Sequence, residues 1–126
     1  MIETSYFGKM KKMPIVDQRR CMAIVYNKPY GIKLYNLSKL APSRIILLEY
    51  KLTGNEHRYR EEYFARLYQL GINRVISTIP KDAILCCFEK SEDFCHRHLL
   101  REFLAIHGVE SKEYELPVNE YDKDID

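Results

Sequence analysis

The chain has 126 residues, of which 46% are hydrophobic and 30% charged, with a formal net charge of +2. That length supports a single hydrophobic core, and that composition excludes an intrinsically disordered chain. No apolar run approaches the roughly 20 residues needed to cross a bilayer, and so small a net charge makes no general case for nucleic-acid binding. In chain order, Ile2-Glu3-Thr4-Ser5-Tyr6-Phe7 has the β-branched and aromatic content of a short strand ended by Gly8. Cys21-Met22-Ala23-Ile24-Val25-Tyr26 is a second apolar run, stopped by Asn27-Lys28-Pro29. Tyr30 to Ser38 reads as a loop or short helix.

Pro42-Ser43 opens a helix from Ser43 to Leu52, closed by Gly54. Asn55 caps the next, Glu56 to Leu70, whose Tyr59, Tyr63, Phe64, Leu67 and Leu70 share one face, and Gly71 ends it. Asn73 to Ile79 makes a further short helix before Pro80. Ala83-Ile84-Leu85-Cys86-Cys87-Phe88 is apolar at every position, as a strand covered on both faces must be. Ser91-Glu92-Asp93 is a loop, Cys95 to His107 a helix stopped by Gly108, and Glu113 to Leu116 a last edge strand. The reading is an α/β fold: one three-layer domain over residues 1–118, with a small, mostly parallel sheet and helices packed on it. The acidic tail, 119–126, has little to bury and is expected to fray.

Charge is unevenly spread. Residues 1–51 carry ten Lys/Arg against three acids, and residues 52–126 carry ten against fifteen. Such asymmetry either presents a positive face to an anionic ligand or draws the two halves together. The start, Met1 to Lys12, lacks the apolar stretch of a secretory signal, so a cytoplasmic location with four reduced thiols is expected.

Ligands of open α/β sheets gather beyond the carboxyl ends of the strands, where helices begin and their free N–H groups favour anions. The segment Phe88 to Arg97 occupies that address. With about 100° per residue, Leu99, Leu100, Phe103, Leu104 and Ile106 define the buried stripe of the last long helix. His96 falls near its centre, Cys95 and Arg97 near its edges, and His98 towards solvent. Cys95, beside an imidazole and a guanidinium, is a candidate nucleophile. His96 is a candidate acid or base, Arg97 a two-pronged anion grip, and Glu89 a base or an orienting partner. Against these stand plainer roles: Cys95 as packing or cap, Arg97 and Glu89 as an ion pair bracing strand to helix. Cys86 and Cys87 point to opposite faces and fill the core. Cys87, Cys95, His96 and His98 are zinc-type ligands, but Cys87-x7-Cys95-His96 lacks the paired spacing of zinc ribbons, and adjacent helix residues diverge. No metal or cofactor is therefore assigned.

Ile84 to Lys90, followed by Phe94 to Leu100, resembles the domain-of-unknown-function 488 (DUF488) family. Its signature is a hydrophobic strand, Cys-x-Glu, a short loop, then Cys-His-Arg and an apolar helix. Thr4-Ser5-Tyr6-Phe7, Leu40-Ala41-Pro42 and the tyrosines Tyr59 and Tyr63 suit a compact subgroup of it. The resemblance implies site roles for Cys87, Glu89, Cys95, His96 and Arg97. It supplies no reaction, and the Asp-Val-Arg of longer members has no equivalent after Tyr26. Tyr6 and its neighbour Ser5 sit where they can line the same rim, Tyr6 stacking on a ring or packing ordinarily.

Three functions follow. The first is an enzyme acting on an anionic, phosphorylated or nucleotide-like molecule, with Cys95, His96 and Glu89 catalytic and Arg97, Tyr6 and Ser5 holding the anion. The second is a non-catalytic module binding nucleotide or nucleic acid. The third is a structural or partner-binding domain in which Cys95-His96-Arg97 only braces strand to helix.

Overall fold

A computed structural model describes residues 1–89 and 93–118. Four strands, β1 (Ile2–Tyr6), β2 (Cys21–Ala23), β3 (Ile84–Cys87) and β4 (Ser111–Glu113), form one all-parallel sheet in the order β2-β3-β1-β4. All four residues of β3 are buried, as its unbroken apolar run demands of a strand covered on both faces. The helices are α1 (Phe7–Met10), α2 (Ile15–Gln18), α3 (Arg44–Thr53), α4 (Glu56–Leu70), α5 (Ile72–Thr78) and α6 (His96–Ile106).

The larger core joins Leu85 of β3 to Tyr59, Tyr63 and Leu67 of α4, Val75 of α5 and Leu99, Leu100, Phe103 and Leu104 of α6. The smaller core, on the other face, joins Ile84 and Cys86 to Phe7, Met13, Cys21, Ala23, Val25 and Tyr114. The result is the layered α/β arrangement expected from the alternation of apolar strands and amphipathic helices.

Local chemistry sets the helix ends. The Ser43 hydroxyl accepts a hydrogen bond from Ile46 N–H at 3.3 Å, and the Asn55 side chain accepts one from Arg58 N–H at 3.0 Å. Between the two helices Gly54 takes φ 65°, a left-handed turn that only glycine enters without steric cost.

Three departures have physical causes. The second strand, expected to reach Tyr26, stops at Ala23, because the Asn36 amide takes up both the N–H (3.1 Å) and the C=O (2.7 Å) of Val25. The last strand comes earlier than expected, at Ser111–Glu113, where Thr4 of β1 and Arg97 of α6 both hold the Glu113 carboxylate. α1 and α2, at four residues each, are too short to display a helical period and so are not expected from the sequence. Lys90, Ser91, Glu92 and the tail from 119 lie outside the described residues. Among the described residues, no helix is long and apolar enough to cross a membrane.

Candidate functional site

Three consecutive residues at the start of α6 face three different surroundings, because each helical step turns the side chain by about 100°. Cys95 is the N-cap, in extended conformation, and is 3% exposed. Its sulfur is paired with that of Cys87 at the end of β3 as a disulfide, the two Cα atoms 7.7 Å apart, so these two cysteines are not the reduced thiols expected from the sequence, whereas Cys21 and Cys86 are free. On its other side the sulfur is 3.7 Å from His96 Nδ1.

His96 is buried with its ring edge against Tyr63, and its Nε2 is bonded to the backbone carbonyl of Ile24. A carbonyl can only accept, so Nε2 carries the proton and Nδ1 is left as an acceptor facing the Cys95 sulfur. Burial pushes the imidazole pKa down to about 4, partly opposed by the bond to Ile24. The ring is therefore neutral near pH 7.

Arg97 is fully buried. Its guanidinium donates to Glu113 through Nε (3.2 and 3.3 Å) and Nη2 (2.9 Å), and through Nη1 to the Glu89 backbone oxygen at 2.6 Å and the Cys87 sulfur at 2.8 Å. Thr4 donates its hydroxyl to the same Glu113 carboxylate at 2.6 Å. Half-burial alone would push that carboxyl up, but the hydrogen bonds from Arg97 and Thr4 outweigh it and hold Glu113 below the usual carboxylate range. Tyr6 lies on this side, its ring 5.7 Å from the Arg97 guanidinium and 5.7 Å from the Lys9 ammonium. Ser5 is fully buried, and its hydroxyl has no hydrogen-bond partner among the described residues.

On the opposite side of His96 lies an open cavity of about 280 Å3. Val25, Leu47, Leu48 and Phe88 supply much of its apolar wall, and its polar groups include Glu89, His96, Arg44 and Lys51. Arg44 and Lys51 lie seven residues apart, two turns along one side of α3. Neither forms an ion pair among the described residues. The segment that launches α3 is fixed from below: Tyr63 donates its hydroxyl to the Leu40 carbonyl at 2.6 Å, and Arg66 donates to the Ala41 carbonyl at 2.7 Å. This gives Leu40-Ala41-Pro42 a physical purpose, since it anchors the helix that carries the two cations.

Of the residues singled out from sequence, Glu89 and His96 reach the cavity. Cys95 and Cys87 meet each other behind it, and Arg97, Tyr6 and Ser5 lie away from it. His98 is half-buried and bonded to Arg101. Arg44, Lys51 and Glu113 were missed. The excess of basic residues in 1–51, together with the i, i+7 spacing of Arg44 and Lys51 on an N-capped helix, was the available signal for the first two. Nothing local marks Glu113, whose role depends on contacts from 16 and 109 residues away.

A family model described as "Active DUF488-N3 subclade" matches residues 11–108. The match takes in Arg44, Lys51, Cys87, Glu89, Cys95, His96 and Arg97, and leaves β1 and β4 outside it. No curated protein and no solved structure matches the chain.

Proposed function

This chain belongs to the DUF488 family, and from that premise we propose that it is an enzyme acting on a small anionic molecule, phosphorylated or nucleotide-like, bound in the cavity between α3 and the start of α6. One observation carries the reading: two cations without an acidic partner among the described residues, Arg44 and Lys51, share a mostly apolar recess with Glu89 and with the neutral ring of His96. Recesses of this kind, apolar with a few converging polar groups, are where small molecules bind. Arg44 and Lys51 neutralise the anion, and Glu89, exposed on the recess wall, donates or accepts a proton. His96 closes the wall, with its Nδ1 turned to the Cys95 sulfur.

A non-catalytic nucleotide-binding module is the second reading, and the burial of Cys95 favours it: a nucleophile must reach its substrate, and this sulfur does not line the recess. Titration by calorimetry with inorganic phosphate, ribose 5-phosphate and adenosine monophosphate tests both readings. At least one probe is expected to bind, more weakly at higher salt. In Arg44→Ala/Lys51→Ala its affinity is expected to fall at least tenfold, about 1.4 kcal/mol. Absence of binding by all three at low salt removes both readings. Binding without turnover of a wider phosphate-ester panel, together with unchanged binding in Glu89→Gln, leaves the module.

A further inference from the structure

We propose that Cys87, Cys95 and Glu89 form a site for a single thiophilic divalent cation, zinc being the chemical type. The spacing of these residues in sequence argued against a shared ion, but the fold brings them together: the two sulfurs and a Glu89 carboxylate oxygen all lie within 4.8 Å of one another. Two thiolates and a carboxylate are a donor set suited to zinc, and three protein ligands leave the fourth position of a tetrahedral ion open, as in sites that do chemistry.

Two further observations support this assignment. Cys87 and Cys95 are paired as a disulfide in this structure, and the ion takes the reduced pair; their Cα atoms are 7.7 Å apart, beyond the roughly 4.4–6.8 Å that a disulfide ordinarily spans. Sulfurs sharing a zinc ion stand about 3.7 Å apart, which this wide backbone spacing accommodates more readily than a covalent bond. In addition, the fully buried guanidinium of Arg97 donates to the Cys87 sulfur at 2.8 Å. A fixed positive donor of this kind favours thiolate over thiol and orients a ligand for its metal. Glu89 belongs to both the donor cluster and the cavity wall, so an ion held there borders the recess.

Binding transfers no electrons. The two thiols release their protons to solvent, two metal–sulfur bonds and one metal–oxygen bond form, and the ion sheds water. The site does not depend on what the cavity holds, and its test contains no anionic substrate. The full chain is reduced with a phosphine, freed of reductant and metal without air, and titrated with cobalt(II) as a spectroscopic stand-in for zinc. The expected result is a sulfur-to-cobalt charge-transfer band that saturates at one equivalent, is displaced by zinc, and is lost in Cys87→Ser and in Cys95→Ser. Zinc should also protect two thiols of the wild-type chain from alkylation. Glu89→Gln, an exposed change that leaves the core untouched, should keep the band while weakening zinc binding at least tenfold. Absence of the band in reduced wild-type protein would overturn the assignment, as would a band that survives either serine substitution. Unchanged affinity in Glu89→Gln would remove the carboxylate and with it the three-ligand site.

Discussion

The two sides of the first turn of α6 are built on opposite principles. On one side Arg97, Glu113, Thr4 and the Cys87 sulfur form a sealed polar cluster in which every donor of the guanidinium group that points at a neighbour has an acceptor. On the other, Arg44 and Lys51 face an open recess with no ion-pair partner among the described residues. The same residue type is thus used in two ways, Arg97 in the sealed cluster and Arg44 on the recess wall. A buried arginine must be fully paired, because an uncompensated charge in low dielectric is very costly, whereas an exposed arginine can keep its charge for a ligand. The arginine next to the buried His96 is therefore the structural one, and the less conspicuous Arg44, on the open recess, is the one proposed to bind.

The largest expected effect is on the sealed side. Arg97→Ala, or Glu113→Gln, should destabilise the fold by about 3–5 kcal/mol, read from urea denaturation: the first empties a fully buried site and strands a half-buried carboxylate, and the second leaves the buried guanidinium without its counter-charge. A loss below about 1 kcal/mol would mean that the cluster is not the brace between β3, β4 and α6 described here. Next in size is the open side. Arg44→Ala/Lys51→Ala should leave the urea midpoint within about 0.5 kcal/mol of wild type while lowering affinity for the best phosphate probe at least tenfold. If this variant unfolds early, the two sides are less distinct than they look.

Tyr63→Phe sharpens the boundary between them. It removes the hydroxyl that holds the Leu40 carbonyl, so a cost of about 1 kcal/mol is expected in thermal or urea unfolding. Some loss of probe affinity should accompany it, as the base of α3 loosens. The smallest effect is on pH dependence. Glu113 titrates below the usual 4.5 in the folded chain, so its contribution is complete above that pH and is lost as the pH falls through its lowered folded value. Urea midpoints measured down the acid range should decline in wild type, with a visibly flatter slope in Glu113→Gln.

Much of this architecture was legible in the residues. The unbroken apolar run at 84–87 required a strand buried on both faces, and Ser43, Gly54 and Asn55 marked the ends of α3 and α4 where they occur. The apolar stripe of α6 placed His96 at its centre and so predicted an inward-facing imidazole, which is found. These features rest on period, capping and burial, all of them short-range properties of a chain.

What only the tertiary structure decided depends on contacts between distant residues. Helical geometry makes the side chains of Cys95, His96 and Arg97 diverge, but it cannot say that one meets Cys87, the second the Ile24 carbonyl and the third Glu113. Nor can spacing show that Cys87, Glu89 and Cys95 converge within 4.8 Å, or that α3 swings two cations over the end of β3. The pattern of residue types determined the elements and the address of the site. The order and register of four parallel strands, set by pairings across as many as 109 residues, decided which side chains share a cavity and which are locked beneath it.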